Sequence, residues 1–202
     1  MRLSKKAWSG LKLIVFLLCL TPFLLLVNDT IQDQLGANPI ETLHFRLGDW
    51  ALRFLCIGLA LTPIKKIFHL SWLIRFRRMI GLYAFFYASM HFLVYIVLDL
   101  SLSWEAFIDE VPKSPYILVG LLTYVLLIPL ALTSTKSMQK RLGKNWIKLH
   151  KLVYVAGISA VVHYLWLVKS IYGEPFFYAV VMFILLGFRF LVTVKKLIIS
   201  FN

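Results

Sequence analysis

The side chains with the widest chemical reach are five histidines: His44, His69, His91, His150 and His163. His91 and His163 fall inside long apolar runs. An ionisable group there is costly and commonly serves a function. Each lies close to two helical turns from the outer end of its run, roughly 10 Å at 1.5 Å per residue. Two imidazoles at one depth on two helices could clamp a planar metal cofactor. Small side chains stand behind both. Ala88 and Ala84 precede His91, and Ala160 and Ala156, with Ser159, precede His163. Residues three, four and seven apart share a helix face, so each histidine tops a stripe that leaves volume for a flat macrocycle. The competing reading is small-residue helix packing, with the histidines hydrogen-bonded across the interface. No carboxylate lies near either histidine in sequence, and zinc or a soft metal would recruit cysteine or more ligands.

His150 precedes His163 by roughly 20 Å of helix, room for a second haem nearer the cytoplasm. On an ideal helix the two side chains point roughly 140° apart. The matching place before His91 holds Arg78, and arginine stays protonated and is a poor iron ligand. His91 and His163 are thus the candidate clamp for a planar metal cofactor. His150 is a weaker third candidate, and a second bis-histidine haem is not supported by the sequence alone. No CxxCH occurs, so any haem would be held without a thioether link. Cys19 and Cys56 sit in apolar runs and form no CxxC. His44 and His69 fall at span ends, as solvated or interfacial side chains. Arg53 shares a helix face with Arg46 and Asp49, and would meet a haem propionate, a quinone or Asp49 alone. Arg189 is expected to snorkel towards the inner surface.

The elements that position these residues follow from composition. Of 202 residues, 60% are hydrophobic and 15% charged, with mean hydropathy +0.82. That excludes a water-soluble domain, which carries about 25% charged residues. A spanning helix needs roughly 20 mostly apolar residues. Six stretches qualify, near 10–27, 45–64, 79–98, 115–133, 149–168 and 176–194. The first is read as a retained helix, because no small-residue cleavage site follows it. Residues 65–78 mix aromatic and basic side chains, as a segment lying on the membrane surface does. The net charge of +13 orients the chain rather than binding nucleic acid. Lys and Arg collect in the N-terminus, 65–78, 136–151 and Lys195-Lys196, while all nine acids lie elsewhere. Both termini are therefore expected in the cytoplasm and the acidic loops outside. The few outer basic residues are mainly Arg46, Arg53, Lys113 and Lys169. No internal repeat or linker stands out, so residues 1–202 read as one all-α, six-helix transmembrane domain.

The chain resembles the MsrQ family, also called YedZ, among the ferric-reductase-like transmembrane proteins. The resemblance rests on LGANPIE at 35–41, WALRFL at 50–55, LTP at 61–63 and RRMIGLYAFFYASMHF at 77–92. It continues through PLALTS at 129–134, RLGKNWIKLHKLVY at 141–154 and VHYLWLVK at 162–169. It implies six helices, b-type haem and a flavin, FMN. It also implies a bacterial inner-membrane subunit that passes electrons from the quinone pool to a periplasmic molybdenum enzyme, MsrP, which reduces methionine sulfoxide in proteins. By position, His91, His150 and His163 are the family's haem-ligand candidates. The wider superfamily has two histidines on each of two helices, and Arg78 stands at the fourth place here. Relatives in the superfamily attach a soluble flavin and nicotinamide domain after the last span. Here few residues follow, and no GxGxxG is present, so electrons are expected from a separate donor, a quinol or a reduced flavin. The chain would be an electron-transfer subunit rather than the catalytic one. Two alternatives stand beside this: a transmembrane ferric or cupric reductase, and a non-redox transporter or assembly factor.

Overall fold

The computed structural model describes residues 4–168 and 173–201, with side chains as far as 194. Lys169 and the side chains of Lys195 and Lys196 lie outside the described residues. Regular structure among the described residues is helical throughout. Helix α1 (Lys5–Ile31) starts where the Ser4 side chain accepts from the Ala7 N–H. Helix α2 (Pro39–Phe68) starts behind Asn38, with Pro39 in the first turn where its missing N–H costs nothing. It ends at His69, in the left-handed region at φ 58°. A 3-10 turn over Ser71–Phe76 leads into α3 (Arg77–Val94), which runs on through a π turn, Tyr95–Asp99. Then follow α4 (Trp104–Lys113), α5 (Pro115–Leu132), α6 (Lys136–Leu142), α7 (Lys144–Leu149), α8 (Leu152–Val168) and α9 (Glu174–Phe201).

Five segments among the described residues are long and apolar enough to cross a membrane: Lys5–Ile31, Ser71–Asp99, Pro115–Leu132, Lys144–Val168 and Glu174–Val194. Their most apolar stretches are only 11–22% buried inside the protein, so most of that surface needs lipid. The sixth expected span, 45–64, lies within α2. That helix has 30 residues, length enough to cross, but carries Arg46, Asp49 and Arg53 in its N-terminal half. Two further differences matter. Residues 104–113, expected to be loop, form the short helix α4, with Trp104 and Ile108 exposed. The span expected over 149–168 is broken by a turn at His150 and Lys151, between α7 and α8.

Two hairpins make the framework, α2 against α3 and α5 against α8. Helix α1 is pinned to the first. The Tyr87 hydroxyl donates to the Cys19 carbonyl at 2.9 Å and accepts from the Phe23 N–H at 3.0 Å. It thereby replaces one rung of the α1 ladder. Tyr83 adds a bond to the Phe16 carbonyl. Helix α9 packs Tyr178, Met182 and Leu185 against α2 and α8. Arg189 does not snorkel as expected. It turns inward, donating to the Tyr154 hydroxyl at 2.9 Å and the Leu59 carbonyl at 2.8 Å. Those oxygens answer the two terminal nitrogens of the guanidinium, which a lipid tail would leave unpaired, while Nε has no partner among the described residues.

Candidate functional site

Between the two hairpins lies a cavity of about 720 Å³, and both His91 and His163 line it. Their ring centroids stand 6.2 Å apart with the planes near perpendicular, at 80°. His91 Nδ1 lies 3.0 Å from the His44 carbonyl oxygen. His163 Nδ1 lies 2.7 Å from the Tyr116 carbonyl oxygen. A carbonyl only accepts, so in each ring Nδ1 carries the proton and donates. In a neutral imidazole that leaves Nε2 unprotonated, with a lone pair for a metal. An outer partner that fixes tautomer and ring orientation is the usual support of a metal-binding histidine.

The two halves of the site are built alike. Each histidine donates to a carbonyl 47 residues earlier, on the first helix of its own hairpin. One turn beyond that carbonyl comes a glycine, Gly48 in α2 and Gly120 in α5. A Cβ at Gly48 would lie 3.3 Å from the His91 ring, and a Cβ at Gly120 only 2.9 Å from the His163 ring. The glycines let the imidazoles approach the opposite backbone. The structure thus carries a quasi-repeat that the sequence does not advertise.

Of the alanines, Ala88 and Ala160 line the cavity. Ala84 and Ala156 are buried in the helix packing one turn below. Leu52, Leu55 and Leu127 make the floor apolar, while Glu41, Asp99 and Glu110 stand among the lining polar groups. His44, expected to be a solvated end residue, lines the cavity as well. Its ring pairs with Asp99 at 2.5 Å and stands edge-on to His91 at 5.2 Å.

The other candidates sit elsewhere. Arg53 is not among the lining residues. Its Nε donates to the Tyr178 hydroxyl at 2.8 Å, and its guanidinium pairs with Asp49 at 3.5 Å and Glu174 at 3.9 Å. It stacks over Trp50 and ties α2 to α9. Arg78 is exposed at the start of α3. His150 lies at the turn that interrupts its helix. Its Nε2 is 3.1 Å from the Thr133 hydroxyl, and its ring stacks on Trp146 at 4.0 Å. Thr133 Oγ1 itself donates to the Pro129 carbonyl at 2.6 Å, so it can accept from His150. Replacing His150 with alanine should therefore leave the cavity's ligand pair intact and slow only reduction from the cytoplasmic side. Haem quantification and stopped-flow reduction of His150→Ala test this, and loss of all haem would contradict it.

The donor set fits haem. Metal–imidazole bonds of about 2.0–2.1 Å place two rings roughly 6 Å apart, centroid to centroid, around one metal ion. The cavity volume lies within the roughly 300–1,000 Å³ of small-molecule and cofactor sites. Among the described residues no cluster of three His, Cys, Asp or Glu side chains offers a competing metal site. Sequence reasoning missed His44, Gly48, Tyr116 and Gly120. The available signal was a glycine at the same place in two apolar spans, each needing a close neighbour to explain it.

Comparison with known proteins adds independent evidence. Residues 47–161 match the family model described as "Ferric reductase like transmembrane component". A protein of Xanthomonas euvesicatoria pv. vesicatoria, named "Protein-methionine-sulfoxide reductase heme-binding subunit MsrQ", is 50% identical over 158 residues. That match covers 78% of this chain and 72% of the relative. A protein of the same name from Ralstonia nicotianae is 44% identical over 190 residues, covering 93% of this chain and 88% of the relative. No solved structure matches the chain.

Proposed function

The chain belongs to the MsrQ family of ferric-reductase-like membrane proteins, and from that premise we propose that it carries electrons across the bacterial inner membrane to a periplasmic methionine sulfoxide reductase, the molybdenum enzyme MsrP. The paired imidazoles carry this reading: two histidines on separate helices, each with Nδ1 given to a backbone carbonyl and Nε2 left for a metal. His91 and His163 would hold the iron of one b-type haem. Bound there, haem supplies a one-electron iron couple, and ligation on both sides favours electron transfer over oxygen binding. The carbonyls of His44 and Tyr116 fix the ring tautomers. Gly48 and Gly120 admit the rings, Ala88 and Ala160 leave room for a macrocycle, and Leu52, Leu55 and Leu127 exclude water from its faces.

Positive charge in 65–78 and 136–151 supports cytoplasmic termini and an outward-facing cavity. The donor in this proposal is a membrane quinol, with FMN by resemblance. The acceptor docks on the outer side, where α4 carries Glu105, Asp109 and Glu110, the last also lining the cavity. A second reading, reduction of a ferric or cupric ion, is favoured by that same acidic rim and by the family model's description.

The test is an optical spectrum with haem quantification on purified protein, followed by reoxidation. We expect about one b-type haem per chain, a Soret shift on reduction by a quinol, and rapid reoxidation by MsrP supplied with methionine sulfoxide. A correctly folded protein that takes up no haem would falsify the reading. Faster reoxidation by ferric chelate than by MsrP would favour the second. Replacing Glu105, Asp109 and Glu110 with Gln, Asn and Gln should slow reoxidation by MsrP several-fold at low salt and little at high salt, because charge complementarity mainly sets association rate. Unchanged kinetics across the salt series would reduce these acids to a topological role.

A further inference from the structure

A line of polar side chains leads from the wall of the cavity to the start of α9. Asp49 and Tyr164 both line the cavity. Asp49 follows Gly48, against which the His91 ring packs. The Tyr164 hydroxyl lies beside Asp49 and donates to Glu174 Oε2 at 3.3 Å. The Glu174 side chain is 60% exposed, against 15% for Asp49. Arg53 Nη2 spans the two acids, 3.5 Å from Asp49 and 3.9 Å from Glu174. One carboxylate thus stands at the cavity and the other at water, with a hydroxyl and a guanidinium between them.

The groups around Asp49 come from every helix packed on α2. Tyr164 belongs to α8, and Glu174 and Tyr178 to α9; the Tyr178 hydroxyl accepts from Arg53 Nε. Arg46, one turn before Asp49, is spent on Asp29 of α1. Across the cavity on α3, His91 gives its Nδ1 proton to a carbonyl and Asp99 pairs with the His44 ring. Of the acids that line the cavity, Asp49 is the most shielded, since Glu41 and Glu110 are exposed and Asp99 is 37% exposed. An electron arriving on a metal between His91 and His163 adds a negative charge to a cavity with an apolar floor. In so poorly screened a place, charge on one group changes proton binding at its neighbours.

We propose that Asp49 is a redox-linked proton acceptor, binding a proton when the site is reduced and returning it on reoxidation, with Tyr164 and Glu174 as its path to the outer water. This rests on the haem reading given above. On reduction, ferric iron gains one electron and the Asp49 carboxylate binds one proton drawn from outside. On reoxidation the acceptor takes the electron and the proton leaves by the same line. The Tyr164 hydroxyl accepts one proton and donates another, so its own state is unchanged. Reducing a sulfoxide to a thioether and one water consumes two electrons and two protons, so release falls on the side that uses protons. Electron and proton binding favour each other reciprocally, so lower pH raises the reduction potential.

The test uses the haem-loaded, full-length protein in detergent. Midpoint potentials are measured by spectroelectrochemistry from about pH 5 to 8. Proton release is read with a pH dye as reduced protein is oxidised by ferricyanide, a couple that exchanges no protons. In wild type we expect the potential to fall as pH rises, by up to about 59 mV per pH unit, the value of a tenfold change in proton concentration for one electron. Release should approach one proton per haem. Asp49→Asn should flatten the slope and abolish release with the bis-imidazole spectrum retained, and Asp49→Glu should restore both. Glu174→Gln should keep the slope but slow release several-fold. Glu41→Gln, at another acid lining the cavity, should match wild type. A wild-type haem whose potential ignores pH and which releases no proton would overturn the assignment while leaving the haem reading intact. So would a wild-type slope in Asp49→Asn, or an unchanged release rate in Glu174→Gln. A wild-type protein that binds no haem would overturn both.

Discussion

Either His91→Ala or His163→Ala should strip the purified protein of most of its low-spin haem. Each change removes one of two axial bonds, and neither loss can be made good locally. The next ring, His44, is committed to Asp99 at 2.5 Å, and its carbonyl would lose its partner when the His91 ring goes. A haem left with one ligand should turn high-spin, visible as a broadened Soret band, and bind added carbon monoxide at the vacant side. His150→Ala is the contrasting variant, because its ring lies outside the cavity against Trp146. Wild-type haem content in both His91→Ala and His163→Ala would remove the basis for the ligand pair.

The second large effect should come from a single methyl group. At Gly120 a Cβ would lie 2.9 Å from both Cε1 and Nδ1 of His163, closer than real Cβ atoms approach. Something must shift, and the ring is not free to do so cheaply. It is tethered through Nδ1 to the Tyr116 carbonyl, one turn earlier on the same helix. Gly120→Ala therefore sets the tether against the ligand geometry. Overpacking of this kind costs about 1–3 kcal/mol, roughly a five- to 150-fold loss in haem affinity if borne by the bound state alone. At Gly48 the corresponding distance to His91 is 3.3 Å, so Gly48→Ala should be milder. At Gly81 a Cβ meets nothing within 4 Å, and Gly81→Ala should load haem normally. Titration of the three variants with haemin, alongside circular dichroism to confirm equal helicity, measures the ranking. Equal affinities at Gly120 and Gly81 would show that the histidine ring is not held as the structure has it.

The histidine pair was legible in the sequence because a bilayer makes a local demand. About 20 apolar residues must run together, so the spans can be counted, and any ionisable residue within one stands out. The alanines behind each histidine were legible for the same reason, since helical periodicity places them on its face. What was not legible depends on which helix lies next to which. Lipid tails are as apolar as leucine, so hydropathy does not mark the face a membrane helix turns towards its neighbours. The expectation for Arg189 failed on this point: from sequence it had only the membrane surface to reach for, and the fold offers the Leu59 carbonyl. His150 was read on an ideal helix, but the chain breaks at that residue and gives its ring to Thr133 and Trp146. Ala84 and Ala156 share a face with His91 and His163, yet only Ala88 and Ala160 reach the cavity. The carbonyls that fix both imidazole tautomers lie 47 residues away in the chain, and only the pairing of α2 with α3 and α5 with α8 brings them within a hydrogen bond. Composition and periodicity thus determined that the chain fills a membrane and that His91 and His163 lie within its apolar spans. Tertiary structure alone decided which carbonyl each histidine meets, which nitrogen each presents, and which glycines allow it, because those are properties of contacts between helices rather than of any one of them.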